Sequence, residues 1–375
     1  DKRRFFELSR DEILEINPNT LTCPMFRSQH DAKIAKNIYK SIGVFLNENR
    51  INGNPWGVSF KQGLFNMTSD SKQFRDFHRK NELADPTPLY EAKMIDFYNH
   101  RFGTYQNRGE DRGNRVLPVT TEKSYSDPNY TVTPYYWVER KEVEDAIPDR
   151  WKFKWLFAFR DVTSATNERT VIGSIIPRVG VGHTSPLIFP TAIKIGKYEG
   201  EVVSASLILA NLLSLPLDYI ARLKIGGLHL TYIYLKQLAV LPPSHYTSED
   251  VDKIMPRVLE LSYTAVDLQS FYDDVMMINP AWDTRIDSCR GYPWQWDTAR
   301  RQLLRAELDA IYARLYGLNR EDLSFIIDPS DVFGEKYPSQ TFPGLKRNEM
   351  KDYGEFRLRK LVLESWDKFS SSLDH

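Results

Sequence analysis

The feature of the sequence that most constrains the fold is an apolar run near the middle of the chain. Its most apolar part, residues 207–220, lies within a longer stretch, 204–223, that has the residue pattern of a helix. Asn211, Ser214 and Asp218 interrupt the run, so it falls short of the roughly 20 apolar residues that a membrane-spanning helix needs. A helix that is apolar on every side is stable only when other elements cover it. The sequence therefore predicts a helix buried along much of its length, and no membrane partner.

Composition places the chain among soluble globular proteins. It has 375 residues, enough for two or three domains, and its 41% apolar and 27% charged residues exclude wholesale disorder. The 50 lysines and arginines balance the 50 aspartates and glutamates, so the net charge indicates no particular partner. Cys23 and Cys289 are too far apart in sequence for a metal knuckle and too few for a disulfide framework, so we expect a reducing cytoplasm. The sequence starts at Asp1 with no signal peptide, and we expect it to be a piece of a longer protein.

Local patterns predict strands in the middle of the chain and helices on both sides of them. Helices are expected over residues 9–50, where Ser9 and Glu12 have the spacing of a capping box, and over residues 88–100. Short β-branched or aromatic runs, separated by Pro, Gly and Asn, are typical of strands in a mixed sheet. These runs cover residues 135–138, 153–159, 170–176 and 187–195.

The C-terminal part of the chain is predicted to be mainly helical. Residues 297–316 carry a leucine and isoleucine stripe at helical spacing, and Gly317 and Asn319 have the positions of a C-terminal and an N-terminal cap. The expected fold class is α+β, with a central mixed β-sheet domain flanked by N-terminal helices and a mainly helical C-terminal region. The expected boundaries are 1–87 for an N-terminal connector, 88–243 for the sheet domain and 244–375 for the helical region.

The balanced net charge conceals two segments of opposite sign. Residues 151–236 hold ten Lys and Arg against five Asp and Glu, whereas residues 246–290 hold four against nine. A basic block with many aromatic residues is typical of a nucleic-acid-binding region. The alternative is solvated surface charge that has no partner.

Three fragments resemble parts of catalytic motifs. Residues 277–282 and 127–130 are similar to the Asn-Pro-Pro-aromatic loop of amino-group methyltransferases, but Ala281 replaces the second proline and no Gly-rich cofactor loop precedes either fragment. A turn anchored by a buried Trp282 is the favoured interpretation of the first. Asp85, Glu91 and Lys93 are similar to a metal-dependent nuclease pattern, but they lie too close together in sequence for adjacent strands. The seven histidines lack the spacing of a structural zinc site, so no metal is expected.

A series of short motifs in a particular order covers the chain from about residue 5 to residue 365. The motifs are FELS (6–9), INPNT (16–20), FRS (26–28), PLYEAKM (88–94), ATNERT (165–170), IGGLHL (225–230), LKQL (235–238), LPP (241–243), LDA (308–310), LYGL (315–318) and YGEFR (353–357). The series resembles the C-terminal half of large adenine-specific DNA methyltransferases of bacterial restriction–modification and phage-defence systems, including type IIG, BREX and DISARM enzymes. The stretch 226–243 also resembles target-recognition domains of type I specificity subunits. One departure is Ala92, where these relatives often carry glycine.

The resemblance implies a DNA target-recognition region that follows a catalytic methyltransferase domain. The parent enzyme would use S-adenosylmethionine to methylate adenine N6, while this fragment itself would hold no cofactor. The implied partners are double-stranded DNA, the missing methyltransferase domain of the same polypeptide and other defence-system proteins. The residues that we predict to contact DNA, because they lie in or near loops of the basic block, are Arg160, Asn167, Arg169, Arg178, His183, Lys224, Gly226, Gly227, His229 and Thr231.

Other interpretations of these residues and of the chain remain open from the sequence. Asn167 and Arg169 could tie a turn to a neighbouring strand, His183 could be a hydrogen-bonding loop residue, and the Gly226–Gly227 pair could mark a helix end. The chain could also be part of a Mg²⁺-dependent nuclease that uses Asp85, Glu91 and Lys93. A third hypothesis is a protein-interaction module that docks through the acidic segment 246–290.

Overall fold

The computed structural model of the protein describes residues 7–106, 117–337 and 340–371. The strands in these ranges are β1 (Ser59–Lys61), β2 (Arg75–Asp76), β3 (Pro86–Tyr90), β4 (Tyr136–Glu139), β5 (Trp155–Phe159), β6 (Gly173–Pro177), β7 (Gly180–Val181), β8 (Leu187–Phe189), β9 (Ile193–Ile195) and β10 (Tyr198–Gly200). The α-helices in these ranges are α1 (Arg10–Ile16), α2 (Gln29–Ile42), α3 (Glu122–Tyr125), α4 (Arg140–Ala146), α5 (Glu201–Leu212), α6 (Leu215–Lys224), α7 (Tyr232–Leu235), α8 (Ser248–Ser262), α9 (Gln269–Ile278), α10 (Thr298–Leu315), α11 (Arg320–Ile327), α12 (Ser330–Phe333), α13 (Pro343–Tyr353) and α14 (Arg357–Ser371). The fold class is α+β, as predicted.

Two four-stranded sheets form the middle of the molecule. The first has the order β1-β8-β5-β6 and is antiparallel throughout, and its strands β5 and β8 are completely buried. The second has the order β2-β4-β3-β7 and is mixed, because β7 runs parallel to β3. Strands β9 and β10 pair with each other in a separate hairpin. The predicted strand over 187–195 is thus split into β8 and β9, with Pro190 between them.

The predicted helix over residues 88–100 is wrong. Its first residues belong to β3, which pairs with β4 on one side and with β7 on the other, and a short 3₁₀ turn, Ala92–Met94, follows. The difference has a long-range cause, since the strands that pair with these residues lie far along the chain and leave no signal within 88–100. The apolar residues Leu89, Met94 and Ile95 still enter the core, but from a strand and a turn.

The apolar run 204–223 is buried as predicted, but it forms two helices. Helix α5 ends at Leu212, and α6 starts at Leu215 with Pro216 in its first turn, where a missing N–H costs no helical hydrogen bond. Within the described ranges no single helix is long and apolar enough to cross a membrane, and α5 and α6 meet that criterion only as a pair bent by 63°.

The helix caps predicted from the sequence are present. Ser9 forms a capping box with Glu12 at the start of α1, Gly317 has a φ of +71° two residues after the end of α10, and Asn319 forms a capping box with Asp322 at the start of α11. The predicted boundary 87/88 falls inside β3, and the boundary 243/244 falls inside a 3₁₀ turn, Pro243–His245. One hydrophobic cluster contains residues of all three predicted segments.

A buried ion network joins α6, α10 and the loop that follows β5. Asp218 of α6 lies 2.9 Å from Nε of Arg169 and accepts a 3.0 Å hydrogen bond from Nε of Arg222. Both of its carboxylate oxygens also accept the backbone N–H of Thr170. Arg169 lies 3.5 Å from Asp309 of α10, and all four charged side chains are buried. Since a buried charge is tolerated only when it is paired, each member of this network depends on the others.

Replacing Asp218 with alanine should therefore lower the free energy of unfolding by about 3–5 kcal/mol, because two buried guanidinium groups lose their carboxylate. Chemical denaturation followed by circular dichroism measures this change. The matched control is Asp367→Ala, which removes the carboxylate from an exposed pair with Arg320 and should cost less than about 1 kcal/mol. Equal losses in the two variants would contradict the role assigned to the network.

Candidate nucleic-acid interface

Two neighbouring loops bring together most of the residues predicted to contact DNA. The first loop, residues 161–169, follows β5, and the second loop, residues 225–231, connects α6 to α7. Their backbones are hydrogen-bonded: the N–H of Leu230 donates to the carbonyl of Asp161 at 2.8 Å, and the N–H of Thr163 donates to the carbonyl of Leu228 at 2.9 Å. We call these two loops together the two-loop face. Six of the ten predicted residues lie in it, and Arg160 and Lys224 directly precede its two loops.

The backbone of the first loop is fixed from beneath by one buried arginine. The guanidinium of Arg222 donates to the carbonyl oxygens of Ala165 (2.8 Å), Asn167 (2.7 Å) and Glu168 (2.9 Å). It also donates to the carbonyl of Thr341, at 3.0 Å, and so connects the loop to the segment that precedes α13. Since the backbone carbonyls point inwards to this cation, the loop is held in place without using the exposed side chain of Asn167. Within the described ranges that side-chain amide makes no hydrogen bond.

A buried lysine fixes the start of the second loop in the same way. The ammonium group of Lys224 donates to the carbonyls of Ile16 and Gln237, both at 2.6 Å, and to the side-chain oxygen of Asn17 at 2.7 Å. It also lies 4.3 Å from the centre of the Tyr39 ring. Burial holds the pKa of Lys224 well below its usual range. The lysine therefore joins the N-terminal segment to the loop, and its donors are all used inside the protein.

The tip of the second loop is exposed and carries both polar and apolar groups. Gly226 and Gly227 are exposed, and a Cβ atom at Gly227 would meet nothing within 4 Å, so no packing requirement accounts for that glycine. Leu228 is 65% exposed. The His229 imidazole lies 3.3 Å from the carboxylate of Asp161, which gives an ion pair across the two loops when the histidine is protonated. Exposed groups of several chemical kinds thus stand on a backbone that is fixed at its base.

Thr231 closes the second loop and has a free hydroxyl group. It is exposed and occupies the N-cap position of α7, but its side chain makes no capping hydrogen bond. A serine or threonine at this position usually bonds the helix backbone. Its hydroxyl is therefore available to a ligand.

Three of the predicted cations have internal partners in the described part of the chain, and their contact with DNA stays a prediction. Arg169 and Lys224 are occupied as described above, and Arg178 donates to the carbonyls of Trp151 and Phe153 and pairs with Glu144. Arg178 follows β6, whereas Arg160 follows β5. Because β5 and β6 are antiparallel, these two arginines lie beyond opposite ends of five paired residues, six residue steps or about 20 Å apart.

His183 also has an internal partner, although its turn lies next to the first loop. Its Nδ1 accepts the backbone N–H of Met67 at 3.1 Å. The carbonyl of the following residue, Thr184, accepts the N–H of Asp161 at 3.0 Å. The contacts of His183 match the interpretation of a hydrogen-bonding loop residue.

The expected surplus of positive charge does not gather into one groove of the sheet region. Of the ten basic residues in the segment 151–236, five pair with carboxylates of this chain: Arg169, Arg178, Lys197, Arg222 and Lys236. Lys224 bonds to backbone and amide oxygens. Besides Arg169, the cations that line a cleft beside the first loop are Arg160, Arg305 of α10 and Arg347 of α13. The last two were missed in the sequence, because an arginine on a distant helix carries no local signal of what it will adjoin.

The residues of the nuclease hypothesis flank one strand and do not converge. Asp85 precedes β3 and pairs with Arg140, whereas Glu91 follows β3 and contacts Lys93 at 3.2 Å and the Tyr105 hydroxyl at 2.8 Å. The five strand residues between Asp85 and Glu91 place the two backbone positions six steps, or about 20 Å, apart. Nowhere in the described part of the chain do three histidine, cysteine or acidic side chains come together as metal ligands.

The acidic segment 246–290 is also satisfied by the protein itself. Each of its nine carboxylates has a hydrogen-bonding or ionic partner in this chain, among them Glu260 with Arg300 and Asp267 with His100. The remaining acidic residues with such partners are Glu249, Asp250, Asp252, Asp273, Asp274, Asp283 and Asp287. Not all of these partners are cations: Asp250, Asp273 and Asp274 bond to neutral groups and keep their negative charge.

The first loop is packed tightly against the start of α13. A Cβ atom on Gly344 would lie 2.9 Å from the carbonyl oxygen of Thr166. Although alanine is intrinsically better than glycine in a helix, Gly344→Ala should displace the loop, at a cost of about 1–3 kcal/mol for overpacking. Hydrogen–deuterium exchange should show faster exchange of the amides in 164–169.

The control for this substitution is Gly227→Ala, because an added methyl group there meets only solvent. It should leave the exchange of both loops unchanged. If Gly344→Ala exchanges like the unmodified protein, then the contact between α13 and the first loop does not hold the loop in place.

Comparisons with known proteins add no further residue or partner to the two-loop face. No protein-family model matches the chain. No curated protein and no solved structure matches it at a significant level. The role of the two-loop face therefore has to be inferred from its own contacts and from the motif series in the sequence.

Proposed function

We propose that the chain is the DNA target-recognition part of an S-adenosylmethionine-dependent adenine methyltransferase, and that its two-loop face contacts duplex DNA. The observation that carries the DNA-binding proposal is the first loop, whose backbone is fixed by Arg222 while the amide of Asn167 is exposed and unpaired. The methyltransferase assignment rests on the motif series, which resembles the C-terminal half of such enzymes.

The free groups on the two-loop face suit the reading of base edges. An asparagine amide has a donor and an acceptor side by side, which match N7 and N6 of adenine in the major groove. The imidazole of His229 and the hydroxyl of Thr231 supply further hydrogen-bonding groups, and both are exposed. Gly226 and Gly227 have no side chain to keep a phosphate or a base away from the backbone. Base contacts specify a sequence only when the protein holds them in register, which the buried Arg222 and Lys224 provide.

The fragment of this chain that resembles a methyltransferase motif is not assigned a catalytic role. The fragment most similar to the catalytic Asn-Pro-Pro-aromatic loop is a short turn, Pro280–Trp282. Its Asn279 donates to the Tyr198 hydroxyl at 3.0 Å and accepts from the N–H of Ala281, and Trp282 is buried. With its amide and its ring engaged in the fold, this turn supports the interpretation as a structural element. Cofactor binding and methyl transfer are therefore assigned to the catalytic domain of the parent enzyme.

A second candidate function is docking to another protein through the apolar side of the second loop. Met25 and Ile233 are 67% and 61% exposed and line one cleft with Gly226, and Leu228 is exposed nearby in sequence. Exposed apolar side chains grouped in this way favour a protein partner. In this proposal the partner is the methyltransferase domain of the same polypeptide or another defence-system protein. The proposed location is the bacterial cytoplasm, where the free cysteines Cys23 and Cys289 would stay reduced.

Duplex binding should depend on salt in a way set by the three cleft arginines. If Arg160, Arg305 and Arg347 each neutralise one phosphate, the logarithm of the association constant should fall with the logarithm of salt concentration at a slope of about −3. Titration of a fluorescent duplex at several salt concentrations measures the slope. Lys154→Ala removes an exposed cation at the other end of β5 and should leave it unchanged. Absence of duplex binding at low salt would refute the proposal.

Asn167 should contribute to sequence preference more than to general affinity. Asn167→Ala should relax the preference at one base position by about 1–3 kcal/mol, because it removes a paired donor and acceptor without removing charge. Selection of bound duplexes from a randomised pool, followed by sequencing, measures the preference at every position. The control is Asn129→Ala, an exposed asparagine in a different turn. An unchanged base preference in Asn167→Ala would remove Asn167 from the proposed contact.

A further inference from the structure

A cleft of about 470 Å³ opens beside the first loop, between the end of β5, helix α10 and helix α13. Four arginines line it: Arg169 belongs to the first loop, and the other three, from these three elements, are Arg160, Arg305 and Arg347. In the part of the chain that the structure describes, none of the three lies within ion-pair distance of a carboxylate. This distinguishes them from Arg169 and Arg222, which are neutralised by Asp218.

Two of these guanidinium groups contain a buried donor that has no acceptor. Nε of Arg160 and Nε of Arg305 are both shielded from solvent, and neither has a hydrogen-bond partner in the described ranges. Buried donors are almost always paired in proteins, so an unpaired one calls for an explanation such as an absent ligand. Both cations thus stand beside the cleft without a compensating group in the described ranges.

Aromatic packing holds one of these cations in a defined position. The guanidinium of Arg305 stacks on the ring of Phe97 at 4.3 Å from its centre, and Arg169 stacks on the same ring at 4.7 Å. Because Arg169 is itself held by Asp218 and Asp309, this stack is anchored to the buried ion network. A ligand of Arg305 would therefore meet a cation that has already lost most of its side-chain freedom.

The two acidic residues of the cleft do not neutralise it. Asp96 lies near Arg160 and Arg305 but beyond 4 Å from both, and burial raises the pKa of its carboxyl group while the two arginines act in the opposite direction. Glu168 accepts a hydrogen bond from the side-chain amide of Asn348. The three arginines therefore leave the cleft with an excess of positive charge.

We propose that this cleft binds a phosphate group, coordinated by Arg160, Arg305 and Arg347. A phosphate presents several oxygens around one centre, which suits guanidinium groups that approach from three separate elements, whereas a carboxylate presents only two. The volume of the cleft falls within the range of pockets that hold small molecules, and Phe97, Phe102 and Ile172 provide apolar wall for the rest of a nucleotide. The phosphate comes either from the backbone of bound DNA, in which case the inference rests on the proposed function, or from a free nucleotide.

The experiment uses the full chain and compares two ligands, pyrophosphate and a fluorescent 20-base-pair duplex, in two separate assays. Thermal denaturation measures stabilisation by pyrophosphate, and titration at fixed salt measures duplex affinity. The test variant is Arg347→Ala, which removes an exposed cleft side chain with little risk to the fold. Its matched control is Arg50→Ala, an exposed arginine outside the cleft. Arg305→Lys is a second variant that keeps the charge but loses the planar group stacked on Phe97.

Pyrophosphate should raise the melting temperature of the unmodified protein, and Arg347→Ala should weaken its binding about tenfold, as expected for loss of a charged hydrogen bond. Arg305→Lys should also weaken it, and Arg50→Ala should not. If pyrophosphate competes with the duplex, the phosphate belongs to the DNA backbone. If it binds in the cleft without affecting the duplex, or if no duplex binds at all, the site serves a free nucleotide.

The failure of this inference is distinct from the failure of the proposed function. Two results together would overturn the phosphate-binding role of the cleft: no stabilisation by pyrophosphate, and duplex binding that is unaffected by Arg347→Ala and Arg305→Lys. The proposal that the two-loop face contacts DNA would remain. Pyrophosphate binding that is lost in Arg347→Ala, without any duplex binding, would overturn the proposed DNA contact and support the cleft as a phosphate site.

Discussion

Asp218 is the group on which the two-loop face depends. Its single carboxylate receives the side chains of Arg169 and Arg222 and the backbone of Thr170, deep inside the protein. Two buried cations on one carboxylate would be unstable by themselves, because removing charges from water costs more than one ion pair returns. The network is nevertheless stable, because Arg169 also lies close to Asp309 and because Arg222 donates to four backbone carbonyls. One guanidinium group thus has two roles: Nε of Arg222 bonds Asp218, and its two terminal nitrogens bond the carbonyls of the first loop.

The contacts of Arg222 explain why the first loop, which is rich in small polar residues, adopts a single backbone conformation. Loops usually lie on the surface and are more mobile than the elements that they connect. Here the carbonyls of Ala165, Asn167 and Glu168 all converge on one guanidinium group, which sets the backbone and leaves the side chains outside. Specific recognition needs this separation, since a side chain that also had to fold its own loop would be unavailable to a ligand.

Local sequence signals predicted those parts of the structure that local interactions decide. The capping residues Ser9 and Asn319 could be assigned from their spacing, because a cap involves only the next three residues. The stretch 88–100 could not, because its pairing partners β4 and β7 come much later in the chain. The two loops were found through their Gly and Asn residues. The sequence did not show which arginines would be buried, because the residues around Arg169 give no indication of its partners Asp218 and Asp309.

The distribution of charge along the sequence gave a misleading prediction for the same reason, because the partner of each charge lies far away in the chain. A basic segment indicates a nucleic-acid partner only if its cations are not already paired with acidic groups of the same protein. Half of the cations in 151–236 pair internally, while Arg305 and Arg347, which lie in other segments, line the cleft. A cleft with three unpaired guanidinium groups is costly to keep in a folded protein, as is a buried donor without an acceptor. Stability does not explain that cost in free energy, because uncharged residues of similar volume would pack there at a lower cost. The three arginines therefore argue for a ligand that supplies the missing anion.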